Sequence, residues 1–185
     1  MSQYYLVAQL PSLDAVSDNA PLPITEERFL ELCERFLDGK TLGILKGLTL
    51  SSKREQSPTG SGLVDAWYEG ERALRLALGS VRAARLKKSF DLGNESIPPS
   101  FFQAAKAAVE ASDPFQAEKQ INKSRLELLE SLRPMDAFSD DAVLYYGLKL
   151  KLLNYVRQFD RVKGEESYRT IYNTILANGL KEVAI

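Results

Sequence analysis

Apolar residues recur through most of this chain at alternating steps of three and four, the spacing that lines one face of an α-helix. The clearest case runs from Leu63 to Lys88, where Val64, Trp67, Glu71, Leu74, Leu78, Val81 and Arg85 share a stripe. This stretch is the predicted central helix. Two members of the stripe are charged, and an unpaired charge on a buried face is costly, so Glu71 and Arg85 should each find an opposite partner or ordered hydrogen bonds.

The remaining elements follow from caps and breakers. Tyr4 to Leu10 is a short apolar run ended by Pro11, read as a helical turn or two, and residues 11–23, with three prolines, form a loop. Thr25 is an N-cap for a helix to about Leu37, with Ile24 and Phe29 spaced as a hydrophobic staple and Gly39 as its stop. A short helix from Lys40 to about Leu48 follows. Residues 51–62 carry no large apolar side chain and read as a mobile loop, and Phe90 to Pro99 as a connection. Ser100 should cap a helix beginning at Phe101. Asp113, Pro114 and Gln116 start another that ends near Leu132, and Ser139 starts a long one that Gly164 stops or bends, with Leu144, Leu148, Leu152, Tyr155, Val156 and Phe159 on one face and Leu148, Leu152 and Phe159 expected in the core. A last helix carries Tyr168, Ile171, Tyr172 and Ile175 and ends at Gly179. The predicted fold is all-α: one domain over residues 1–185, a bundle of about seven helices, two or three of them long.

Composition narrows the chemistry. With 185 residues, 44% hydrophobic and 26% charged, the chain has the balance of a folded domain. A net charge of −1 exerts no global pull on nucleic acid, and no apolar run approaches the ~18 residues that span a bilayer. A lone cysteine, Cys33, makes an intramolecular disulfide impossible and sits in a helical pattern beside Leu32 and Phe36, as a small core residue would. A cytoplasmic location is expected. The absence of histidine removes Ser/His and Cys/His nucleophile activation and histidine-containing zinc sites. None of GxGxxG, GxxxxGK[ST], GxSxG, CxxC or HExxH occurs, so no catalytic residue, cofactor site or metal site is expected. The acid pairs Glu26/Glu27, Asp140/Asp141 and Glu165/Glu166 stand at or near helix starts, where the helix dipole accounts for them.

Charge is sorted along the central helix. Asp65, Glu69 and Glu71 occupy its first half, and from Arg72 to Lys88 there are six cations, Arg72, Arg75, Arg82, Arg85, Lys87 and Lys88, with no acid among them. Glu71 precedes Arg75 by four residues, the favourable direction for an intrahelical pair. These six are the candidate partner-binding residues. They form either a docking surface for an acidic partner or a helix whose arginines pair with carboxylates of its neighbours. A nucleic-acid or acidic-protein binding module is the alternative function, although the cations occupy more than one helical face and no aromatic platform is interleaved with them.

Several stretches resemble a family of short proteins encoded in bacterial V-type ATPase operons: Trp67 to Arg75 (WYEGERALR) with Arg82 to Lys87 (RAARLK), Asp113 to Lys119 (DPFQAEK), Leu148 to Gly164 (LKLKLLNYVRQFDRVKG) and the opening Tyr4 to Pro11 (YYLVAQLP). That family is in turn similar to a shortened C subunit, also called d, of A/V-type rotary ATPases. The resemblance implies a non-catalytic helical subunit or accessory factor of a proton- or sodium-translocating ATPase. Its partners would be the central stalk and the membrane rotor, and it would lie at the cytoplasmic face of the inner membrane through them.

Overall fold

The computed structural model describes residues 2–14, 20–51, 57–93, 95–158 and 161–182. Among these are eight helices: α1 (Ser2–Gln9), α2 (Glu26–Phe36), α3 (Gly39–Lys46), α4 (Gly62–Arg85), α5 (Pro99–Glu110), α6 (Pro114–Ser131), α7 (Asp140–Arg157) and α8 (Arg161–Glu182). The all-α bundle is as predicted, with one helix more.

Most starts follow from their caps. Thr25 accepts from Arg28 N, Ser61 from Val64 N, Asp113 from Gln116 N at 2.7 Å and Ser139 from Ala142 N, each satisfying a backbone donor that a helix start leaves without a partner. Four predicted boundaries are wrong: Gly164 lies inside α8 instead of stopping the helix before it, α8 runs past Gly179 to Glu182, and the other two fall at α3 and α5. Gly39 does not stop α2 but opens α3, because Asp38 turns the chain and caps the new helix at Thr41 N. Ser100 does not cap α5, which begins one residue earlier at Pro99, a residue pre-set for a first helical turn. The core of the predicted loop 51–62, residues 52–56, lies outside the described residues. Its end is pinned: Thr59 donates to Asp65 at 2.8 Å and Ser61 to Asp141 at 2.7 Å.

Two apolar clusters make the core. The larger joins Leu6 of α1, Phe29 and Cys33 of α2, Leu45 of α3, Trp67 of α4, Leu129 of α6 and Leu148 of α7. The smaller joins Leu74 and Ala77 of α4, Phe101, Ala105 and Ala108 of α5, and Ile121 of α6. The most enclosed helix is α7, not α4. It packs on α2, α3, α4 and α6 and buries residues on every side, Val143, Leu144, Tyr145, Leu148, Leu150 and Leu152 among them. Gly147 lets it approach α2 and α3, since a Cβ there would stand 2.8 Å from Leu45 and 3.2 Å from Phe29.

The stripe on α4 is buried only through its first half. Val64, Trp67, Glu71 and Leu74 are inside, as expected, whereas Leu78 and Val81 are half-buried and Arg85 is exposed. The helix leaves the bundle as it proceeds, and only α5 accompanies it. Phe159, also expected in the core, lies outside the described residues. On α1, only Leu6 of the apolar run is buried, while Tyr4 and Tyr5 face out.

Candidate partner-binding site

The second half of α4 takes its setting from the segment 86–98. Arg72 pairs with Glu95 at 2.6 Å, Phe90 lies on Gly79, and Arg85 donates to the Val109 carbonyl at 2.7 Å. In order, these contacts show the chain returning along α4 from its end to the level of Arg72, after which α5 climbs parallel to α4. The predicted connection is thus a strap laid on the cationic helix. Gly79 admits it: a Cβ there would stand 2.6 Å from the Phe90 ring.

The strap divides the six predicted residues. Arg72 is neutralised by Glu95, and Arg75 lies 4.0 Å from Glu71 one turn earlier, as the i,i+4 spacing suggested. Arg85, expected on the buried stripe, is exposed but satisfied by a carbonyl at the end of α5. Arg82, Lys87 and Lys88 are exposed and have no ion pair among the described residues, so the open charge is concentrated at the end of α4. Leu86, 66% exposed, stands among them.

A helix-end motif fixes that cluster. Lys88 N bonds to Ala83 O at 2.9 Å and Lys87 N to Ala84 O at 3.1 Å, the paired closure of a helix whose next residue turns left-handed. That residue is Lys87, at φ 54, where glycine is usual. The strained backbone turns the chain so that Lys87 and Lys88 leave the helix axis beside Arg82.

Beneath the site, Glu71 is fully buried and receives a two-pronged hydrogen bond from Arg125, Nε to Oε1 at 2.7 Å and Nη2 to Oε2 at 3.3 Å. Arg125 also reaches Glu118 at 3.2 Å and Asn122 at 3.0 Å, and its guanidinium lies over the Tyr155 ring. Burial alone would loosen the guanidinium proton, but Glu71 and Glu118 outweigh it and hold Arg125 above its ordinary pKa. Glu71 falls between Trp67 and Leu74 on α4, and Arg125 between Ile121 and Leu129 on α6. The pair therefore sits where the two apolar clusters meet. Gly70 lets α6 come this close, for a Cβ there would be 2.5 Å from Leu128.

The acid pairs are structural where they are described. Glu26 binds Lys151 and Asn154, both at 2.8 Å, Asp140 accepts from Gln3 and Thr41, and Asp141 from Ser61. No group of three or more Cys, Asp and Glu side chains among the described residues is placed to hold a metal ion. A cleft of about 370 Å³ between α2, α6, α7 and residues 48–51 is lined by Glu26, Arg125, Lys151 and Tyr155, each already bonded to a neighbour. No described helix is long and apolar enough to cross a membrane.

Sequence reading missed Phe90, Glu95 and the Val109 carbonyl as partners of the basic helix. An aromatic residue eleven positions after a helical glycine was the available signal, and it is too generic to act on alone. Compared with protein-family models, curated proteins and solved structures, the chain matches none.

Proposed function

We propose that this chain is a non-catalytic component of a bacterial V-type rotary ATPase, a subunit or an assembly factor. It couples the central stalk to the membrane rotor through protein contacts on the cytoplasmic side, and is peripheral to the membrane only through those partners. The reading is carried by the likeness of Trp67–Arg75, Asp113–Lys119 and Leu148–Gly164 to proteins of ATPase operons. What supports contact by charge is the end of α4. Arg82, Lys87 and Lys88 have no ion pair among the described residues and stand beside exposed Leu86, while Arg72, Arg75 and Arg85 are tied into the fold. Such a cluster attracts an acidic protein surface with a salt-dependent on-rate, and the neighbouring leucine offers apolar area to bury. The nucleic-acid alternative is less favoured, because no aromatic residue is interleaved with the cations between Arg82 and Lys88.

The reading includes no nucleotide binding and no hydrolysis by the isolated protein. Purification of the tagged protein from its native membranes in mild detergent tests the partner. Stalk or rotor subunits should be recovered with it. Recovery of no ATPase subunit would overturn the proposal, and nuclease-sensitive recovery of nucleic acid would favour the alternative.

A further inference from the structure

Helix α8 differs from the other long helices in having no described side chain inside the fold. Tyr168, Ile171, Tyr172 and Ile175 are 68%, 61%, 51% and 64% exposed, and their spacing puts them on one face. The Tyr168 and Tyr172 rings stack at 6.1 Å. From Thr170 to Leu180 the sequence has no charged residue, about three turns of helix without the solvating charges that a surface helix ordinarily carries. A contiguous apolar face of this kind marks a surface that something covers.

We propose that a second copy of this chain covers it, the two α8 helices lying antiparallel about a two-fold axis between Ile171 and Tyr172. In that register Tyr168 falls opposite Ile175 of the other copy and Ile171 opposite Tyr172. Every ring then meets an aliphatic side chain, and large packs against small. A parallel, in-register pair would set tyrosine against tyrosine. Charge separates the two arrangements more sharply. In the parallel pair Glu166 would face Glu166 and Arg169 would face Arg169, whereas in the antiparallel pair Arg169 stands across from Thr174 and no described charge meets its own kind. Opposed helix dipoles favour the same choice. Each α8 leaves its bundle at its N-terminal end, so antiparallel pairing carries the two bundles to opposite ends of the seam.

Sedimentation equilibrium of the full chain across the micromolar range tests this. The expected result is association to twice the 20.7 kDa chain mass, weakened about thirtyfold or more by Ile171→Glu with helicity unchanged. Cysteine cross-linking reads the register, and buried Cys33 leaves it undisturbed. Ile171→Cys, beside the axis, should cross-link between copies under mild oxidation, while Tyr168→Cys and Ile175→Cys should not. A monomer at every concentration, a dimer indifferent to Ile171→Glu, or equal cross-linking at all three positions would overturn the proposal.

Discussion

Lys87 shows most directly how a single residue serves the proposed surface at the expense of the fold. Its left-handed backbone costs an L-residue roughly 1–2 kcal/mol, partly offset against glycine by the greater freedom that glycine loses on folding. Lys87→Gly should therefore raise stability by up to about 1 kcal/mol in urea unfolding, while removing one of the three open cations. Glu71 behaves in the opposite way. Its replacement by alanine takes the shortest ion pair from the Arg125 guanidinium, which keeps Glu118 and Asn122, so the loss should lie toward the lower end of the about 3–5 kcal/mol that breaking a buried pair costs. The double substitution Glu71→Leu with Arg125→Leu should recover most of that loss, and a urea series on the three variants measures it. Cys33 is fully buried, and burial pushes its thiol pKa up to about 12, so it should resist thiol reagents until the protein unfolds.

At the scale of elements, α4 separates what periodicity can fix from what it cannot. The stripe at Val64, Trp67, Glu71 and Leu74 is buried because α6 and α7 flank it there. The same stripe at Leu78 and Val81 is half-buried because only α5 goes further. Leu74→Ala should consequently cost about 2–5 kcal/mol and Leu78→Ala distinctly less, as thermal or urea unfolding would show. A stripe specifies which side of a helix is apolar, but the length of helix that is covered depends on where its neighbours end. The caps at Thr25, Asp113 and Ser139 were legible because each works through atoms within a few residues of itself. The break between α7 and α8 was not. Gln158, which caps α7, is neither glycine nor proline, and Gly164, the expected stop, lies inside α8, since one glycine costs a helix only about 1 kcal/mol. The strap was illegible for another reason. Phe90 reaches Gly79 and Glu95 reaches Arg72 only because the chain doubles back, which no local pattern records.

Across the whole molecule, ion pairs tie separate helices together and set the response to acid. Lys149 of α7 is buried and bonds Asp14 at 2.5 Å and Glu130 of α6 at 2.6 Å, while Lys151 holds Glu26 of α2. The hydrogen bond from Lys149, with help from Arg133, lowers the Asp14 pKa below its usual 3.8. Burial would raise Glu26 and Glu130, but their lysine and other donors outweigh it, so both lie below 4.5. A carboxylate with a depressed pKa in the fold contributes stability that is complete above its unfolded value and fades as pH falls through the folded one. Stability should thus be level from neutrality down to about pH 5 and decline below 4.5, with Glu130→Gln flattening the decline. Urea midpoints measured across that range provide the check.

On the function proposed above, the open cations at the end of α4 dock a rotary ATPase component. This docking is tested most directly by comparing what the wild-type protein and the Arg82→Glu/Lys87→Glu/Lys88→Glu variant recover from native membranes, at low and at raised salt. These three side chains are exposed and make no ion pair with described residues, so their reversal should leave helicity unaltered. The wild type should recover stalk or rotor subunits, less of them at raised salt, and the reversal should abolish that recovery. Equal recovery by both proteins at both salt concentrations would contradict this docking.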